Sequence, residues 1–181
     1  WTGSYQLLRW YECLADLPPS MWLQRKYIEF GGGVGASSIA AAFNGAFVTL
    51  VDAFVTIELL DNLEVNLPAD VRARVQVCQM NWTQPLKDNL AQLETCMAEP
   101  NPLEREVKFD LIGVGTAIYS PSYMMPLIHS ISKPSTRVFV APSVSMKLYM
   151  ERWGRYTSRY FEQMLVRSDM GLTEVHRSQW A

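Results

Sequence analysis

The chain has 181 residues, of which 49% are apolar and 19% charged, and a formal net charge of −2. That balance describes one globular domain spanning 1–181 rather than a disordered segment. With no run of Lys or Arg, it excludes unaided electrostatic binding to DNA and leaves RNA contact only within a larger assembly.

Taken in chain order, residues 3–16 place Tyr5, Leu7, Leu8, Trp10, Tyr11 and Leu14 at amphipathic-helix spacing, and Pro18-Pro19 ends the pattern. Tyr27-Ile28-Glu29-Phe30 is short and β-prone, and runs into the glycine cluster of residues 31–35. Residues 36–43 are small or apolar and read as a tightly packed helix, with Asn44-Gly45 as its left-handed stop. Residues 46–51 form the continuous apolar run of a strand covered on both faces, ending in Asp52. A helix over 54–66 directs Ile57, Leu60 and Leu63 to the sheet. Residues 71–78 alternate apolar and polar like an edge strand. Residues 83–106 read as an insertion or long connection with a helix inside 86–97.

Further strands are expected at 107–114 and 137–141, with a helix from Ser120-Pro121 to about Ser132 between them. A long amphipathic helix over 145–166 and the start of a last strand at 172–175 complete the pattern. Alternating strands and helices predict a doubly wound α/β sheet, with ligands bound beyond the carboxyl ends of the central strands. The three cysteines, Cys13, Cys78 and Cys96, include no CxxC pair and are expected to be unpaired thiols. His129 and His176 sit in no metal-ligand pattern, so no metal is expected. No apolar run reaches the ~18 residues of a membrane span, and no membrane role is expected. The chain begins at Trp1 rather than Met and reads as a fragment or the ordered part of a longer protein, with no visible targeting segment.

The chemistry-bearing constellation is Glu29, Gly31, Gly32, Gly33 and Gly35, followed by Asp52. Glycines permit a sharp turn and close approach of backbone to ligand. The helix that follows offers free amides at its start. A carboxylate ending the next strand can accept both hydroxyls of a ribose. Two adenosine cofactors fit this machinery. Gly31, Gly33 and Ala36 satisfy a dinucleotide fingerprint, with Asp52 about 20 residues on. Glu29, two places before the first glycine, suits a cationic amino-acid cofactor and sits poorly beside a pyrophosphate.

The remaining motifs resemble those of the seven-strand, class I, S-adenosylmethionine-dependent protein-lysine methyltransferases, in the branch that modifies heat-shock chaperones. Residues 28–35 are similar to its L-E-L-G-A-G-T-G, and residues 45–52 to Gly-Ala-x-Val-Thr-x-x-Asp. Asn62, Asn66, Leu67 and Pro68 match Asn-x-x-x-Asn-Leu-Pro. Trp1 matches the Trp of the first helix, Trp82 one after the third strand, and Phe109, Asp110 and Ile112 a Phe-Asp-x-Ile. The likeness runs to about Val175 and implies a Rossmann-like seven-strand sheet flanked by helices, the last strand or strands missing.

It further implies S-adenosylmethionine as cofactor, a protein lysine as substrate, and a cofactor site lined by Trp1, Glu29, Gly31, Gly32, Gly33, Gly35, Asp52, Trp82 and Gly115. Glu29 would act on the cofactor amino group indirectly, Asp52 on the ribose, and Trp82 with Gly115 on the adenine. Tyr119 would stand where substrate enters.

The chain departs from the family pattern Asp-x-x-Tyr, having Thr116-Ala-Ile-Tyr119. A threonine hydroxyl brings no charge to orient a lysine ammonium, and one lost charged partner costs ~10²-fold or more in such a step. Thr116, the short carboxyl end and the 83–106 segment define the alternative expectation, a catalytically impaired structural or assembly subunit of a large complex such as a mitochondrial ribosome. Met124-Met125 and the Met-, Tyr- and Trp-rich residues 146–164 would then offer a partner surface. A nicotinamide-dependent oxidoreductase is the third reading. The compartment expected is cytoplasmic or mitochondrial.

Overall fold

The computed structural model describes residues 19–97, 107–115 and 121–140. Within them a 3-10 turn, Pro19–Met21, leads to strand β1 (Lys26–Phe30), helix α1 (Ala36–Phe43), β2 (Phe47–Asp52), α2 (Ile57–Asn66), the short α3 (Ala69–Arg72), β3 (Val75–Gln79), α4 (Leu86–Cys96), β4 (Phe109–Val114), α5 (Pro121–Ile131) and β5 (Ser132–Val140). The described strands form one sheet in the order β3-β2-β1-β4-β5, every pairing parallel. The chain winds outward from β1 in one direction and then, from β4, in the other. The order reverses between β1 and β4, and in such sheets ligands bind outside the carboxyl ends of the strands at this point. The helices expected over 3–16 and 145–166 and the strand at 172–175 lie outside the described residues.

Strand alternation sorts the interior into two layers. Ile28, Phe30, Val51, Ile112 and Val114 join Leu93 of α4 and Leu127 and Ile131 of α5 on one face. Tyr27, Val48, Leu50 and Leu111 join Ala41 and Ala42 of α1 and Leu59 and Leu63 of α2 on the other. The alanines let α1 lie close on the sheet, as its composition predicts. Gly45, at φ +90°, supplies the left-handed stop after it.

Four details differ from the sequence reading. Helix α2 starts at Ile57, because the Thr56 side chain caps the Leu59 amide at 3.2 Å. Its buried residues are then Leu59 and Leu63, whereas Ile57 is 74% exposed and Leu60 39% exposed. Residues 69–72 form a helical turn, because Pro68 starts it and its carbonyl accepts the Val71 and Arg72 amides, so the edge strand begins only at Val75. Strand β5 begins at Ser132, directly after α5. The register shift between Phe109 and Leu111 absorbs the extra residues, with Thr136 Oγ1 donating to the Phe109 carbonyl at 2.6 Å.

Cys78 and Cys96, expected as separate thiols, form a disulfide with Cα atoms 5.8 Å apart. The crossover carries the chain from β3 back through α4, which brings the two cysteines together across 18 residues. An odd cysteine count hid this pairing. Cys13 lies outside the described residues. Helix α4 fills much of the first half of the 83–106 segment and serves as the crossover between β3 and β4.

Candidate functional site

The corner after β1 is built by three glycines with left-handed backbone, Gly31 (φ 74°), Gly33 (φ 55°) and Gly35 (φ 81°). Side chains are strained there, so glycine is needed to bend the chain from strand into helix. Space gives Gly35 a second requirement for glycine and gives Gly32 its own. A Cβ on Gly32 would lie 2.7 Å from Leu50 Cγ, and one on Gly35 would lie 3.0 Å from Leu59 Cδ1. These two glycines therefore let the corner sit down on the β2 and α2 side chains. The backbone ties complete it: Gly31 donates to the Val51 carbonyl at 2.8 Å and Gly35 to the Gly32 carbonyl at 2.8 Å.

Asp52 faces this corner. Its Oδ2 accepts the Gly33 amide at 2.9 Å, and its Oδ1 accepts the Phe54 amide at 3.2 Å. The residue is half-buried at the carboxyl end of β2, and a carboxylate has more lone pairs than these two bonds use. Gly115, buried just after β4, donates to the Phe30 carbonyl at 3.0 Å and so lies beside the same end of β1. Trp82 follows β3. It is 4% exposed and meets Phe30 edge-on, with ring centroids 6.1 Å apart. Asn89 of α4 fixes its loop by donating to the carbonyls of Trp82 (3.2 Å) and Gln84 (2.9 Å).

Glu29 is fully buried and accepts hydrogen bonds from the hydroxyls of Ser37 and Ser38 in the first turn of α1. The structure thus gathers Glu29, the four corner glycines, Asp52 and Gly115 around one end of β1, with Trp82 packed behind Phe30. Trp1, Thr116 and Tyr119 lie outside the described residues.

Three contributors were not singled out from sequence as site residues. Ser37 and Ser38 are two; the signal for them was strand parity, which puts Glu29 on the same face as Tyr27 and beneath α1. The third is Asn62, whose Nδ2 donates to the Val34 carbonyl at 2.6 Å and clamps α2 to the corner. Among the described residues there is no group of three or more His, Cys, Asp or Glu able to hold a metal ion, and no helix long and apolar enough to cross a membrane.

A close-approach glycine bend with a half-buried carboxylate held against its amide fits an adenosyl group. A family model described as lysine methyltransferase matches residues 1–165. The chain belongs to the lysine methyltransferase family. Within that lysine methyltransferase family it is 39% identical over 61 residues to mouse protein N-lysine methyltransferase METTL21A, covering 33% of this chain and 28% of the relative. It is 26% identical over 146 residues to the bovine protein-lysine methyltransferase METTL21E, covering 78% of this chain and 44% of the relative. The chain spans less than half the length of these curated relatives. Among solved structures, the precorrin-6y C5,15-methyltransferase of Geobacter metallireducens GS-15 superposes with a TM-score of 0.50 at 15% identity, covering 86% of this chain and 70% of that one. This likeness is one of fold.

Proposed function

We propose that this member of the lysine methyltransferase family binds S-adenosylmethionine beyond the carboxyl ends of β1, β2 and β4 and methylates a lysine amine of a protein substrate. The observation that carries the reading is the Asp52 carboxylate held on the Gly33 amide, half-buried, at the carboxyl end of neighbouring strands. Asp52 would accept the ribose hydroxyls, the corner glycines would admit the amino-acid end, and Trp82 and Gly115 would flank the adenine. Tyr119 would stand where the lysine enters. When bound, S-adenosylmethionine supplies a methyl group already activated on a sulfonium sulfur. The chain's own residues would then position the partners, exclude water and let the lysine ammonium give up its proton to solvent, so that the neutral amine forms the N–CH3 bond as the S–CH3 bond breaks. Thr116 stands in the sequence where the family pattern has an aspartate and would bring no charge toward the lysine, so Thr116→Asp should raise the rate of transfer.

Calorimetry with S-adenosylhomocysteine tests the pocket. The wild type should bind, and Asp52→Asn should bind about tenfold or more weakly, as a charge-assisted hydrogen bond is lost. Transfer of labelled methyl from S-adenosylmethionine to lysine in a protein extract tests the reaction. Failure of S-adenosylhomocysteine to bind the wild type overturns the proposal.

A further inference from the structure

Glu29 stands on the strand face that it shares with Tyr27, and that face is covered by the apolar residues of α1 and α2. A carboxylate placed there is costly unless hydrogen-bond donors meet it. Two donors come from consecutive positions of α1. Ser37 Oγ donates to Oε1 and Ser38 Oγ donates to Oε2, the latter at 2.5 Å, and all three side chains are fully buried. The helix begins at Ala36, after Gly35, which provides no side-chain cap. The first turn of α1 is therefore tied through its serine hydroxyls to a carboxyl on the strand rather than through a capping residue.

Glu29 precedes the glycine corner and the serines follow it. Their hydrogen bonds thus close the corner from both ends, spanning 8 and 9 residues of sequence. We infer that Ser37 and Ser38 are positioning residues of the methyl-donor site: they hold Glu29, and through it fix the residue 31–35 bend in the shape that binds the donor. On this account Glu29 acts through the two serines rather than by a contact of its own with the cofactor. The inference rests on the proposed function.

The test is a mutant cycle on the full chain, read by calorimetry with S-adenosylhomocysteine and by thermal unfolding without it. Ser37→Ala/Ser38→Ala should weaken binding about tenfold or more, and each single variant about threefold. Glu29→Gln should weaken binding about tenfold in the wild type but no more than about twofold in the double-serine background, because the hydrogen bonds through which it is inferred to act are already gone. The single variants keep the test open if the double variant does not fold.

A serine variant that unfolds at lower temperature yet binds within about twofold of the wild type overturns the inference, since the cluster is then a structural anchor only. Equal effects of Glu29→Gln in both backgrounds overturn it as well, by showing an independent contact with the ligand. Wild-type protein that binds no S-adenosylhomocysteine overturns the functional proposal and this inference together. Binding that is unchanged in the serine variants overturns this inference alone.

Discussion

Gly32→Ala isolates the steric part of the corner. Gly32 is buried and, unlike its glycine neighbours at 31, 33 and 35, has no left-handed φ, so the added methyl meets a problem of space alone. Its Cβ would lie 2.7 Å from Leu50 Cγ, 2.9 Å from Cδ2 and 3.1 Å from Cδ1. Leu50 is fully buried and also lies beneath Gly35, so it has no open side to move toward. Overpacking of this kind costs about 1–3 kcal/mol. For a chain of this length that is a Tm lowered by roughly 2–12 °C. Leu50→Ala removes all three crowding atoms but leaves a cavity worth about 2–5 kcal/mol. Urea and thermal unfolding of the cycle should therefore show Gly32→Ala/Leu50→Ala destabilised by about 1 kcal/mol or more less than the sum of the single changes. Strict additivity, or a Gly32→Ala stability within about 0.5 kcal/mol of the wild type, would refute the packing argument.

Asp110 ties the start of β1 to β5. It accepts the Lys26 amide at 2.9 Å and the Lys133 ammonium at 2.8 Å, with Arg25 at 3.9 Å. Burial pushes its carboxyl upward, but the bonds from Lys133 and Lys26 and the charges of Lys133 and Arg25 outweigh it and hold the group below its ordinary value. A lowered folded-state pKa means that the stabilisation is complete above the unfolded value near ~4 and is lost as pH falls through the lower folded one. Asp110→Asn should cost about 1–2 kcal/mol at pH 7, and urea unfolding across a pH series should show that gap narrowing below about pH 4. A gap independent of pH contradicts the assignment. The Cys78–Cys96 bond closes 18 residues, worth about 3 kcal/mol in loop entropy. A strong reductant should lower Tm by roughly 6–12 °C in the wild type and leave Cys78→Ser/Cys96→Ser unaffected. Equal melting with and without reductant would contradict it.

Most of the sheet was legible in the sequence because its strands are buried runs ended by turn residues. The stretch from Tyr27 to Asp52 carries strand, glycine bend, small-residue helix and strand in plain order. What stayed hidden depends on partners distant in sequence. The face of α2 could not be fixed without knowing that Thr56 sets its start. Residues 71 and 72 continue the alternation of the 71–78 run but belong to a turn started by a proline. Cys78 and Cys96 meet only once the crossover is folded.

In the site, Asp52 and the glycines announced themselves by residue type at the ends of recognisable elements. Ser37 and Ser38 are ordinary polar residues on a helix that only their distances to Glu29 give a role, and Asn62 belongs to a family motif whose part in the corner shows only in its bond to the Val34 carbonyl. Trp1, Thr116 and Tyr119 are known from the sequence pattern alone.

The most direct measurement is a titration of ¹⁵N-labelled protein with S-adenosylhomocysteine, followed amide by amide. If adenosine sits against the β1 bend with its ribose on Asp52, the Gly31, Gly33 and Phe54 amides shift together and saturate with the calorimetric affinity. Saturable binding that leaves the Gly33 amide unmoved, while resonances elsewhere respond, would place the ligand at another site and contradict the account.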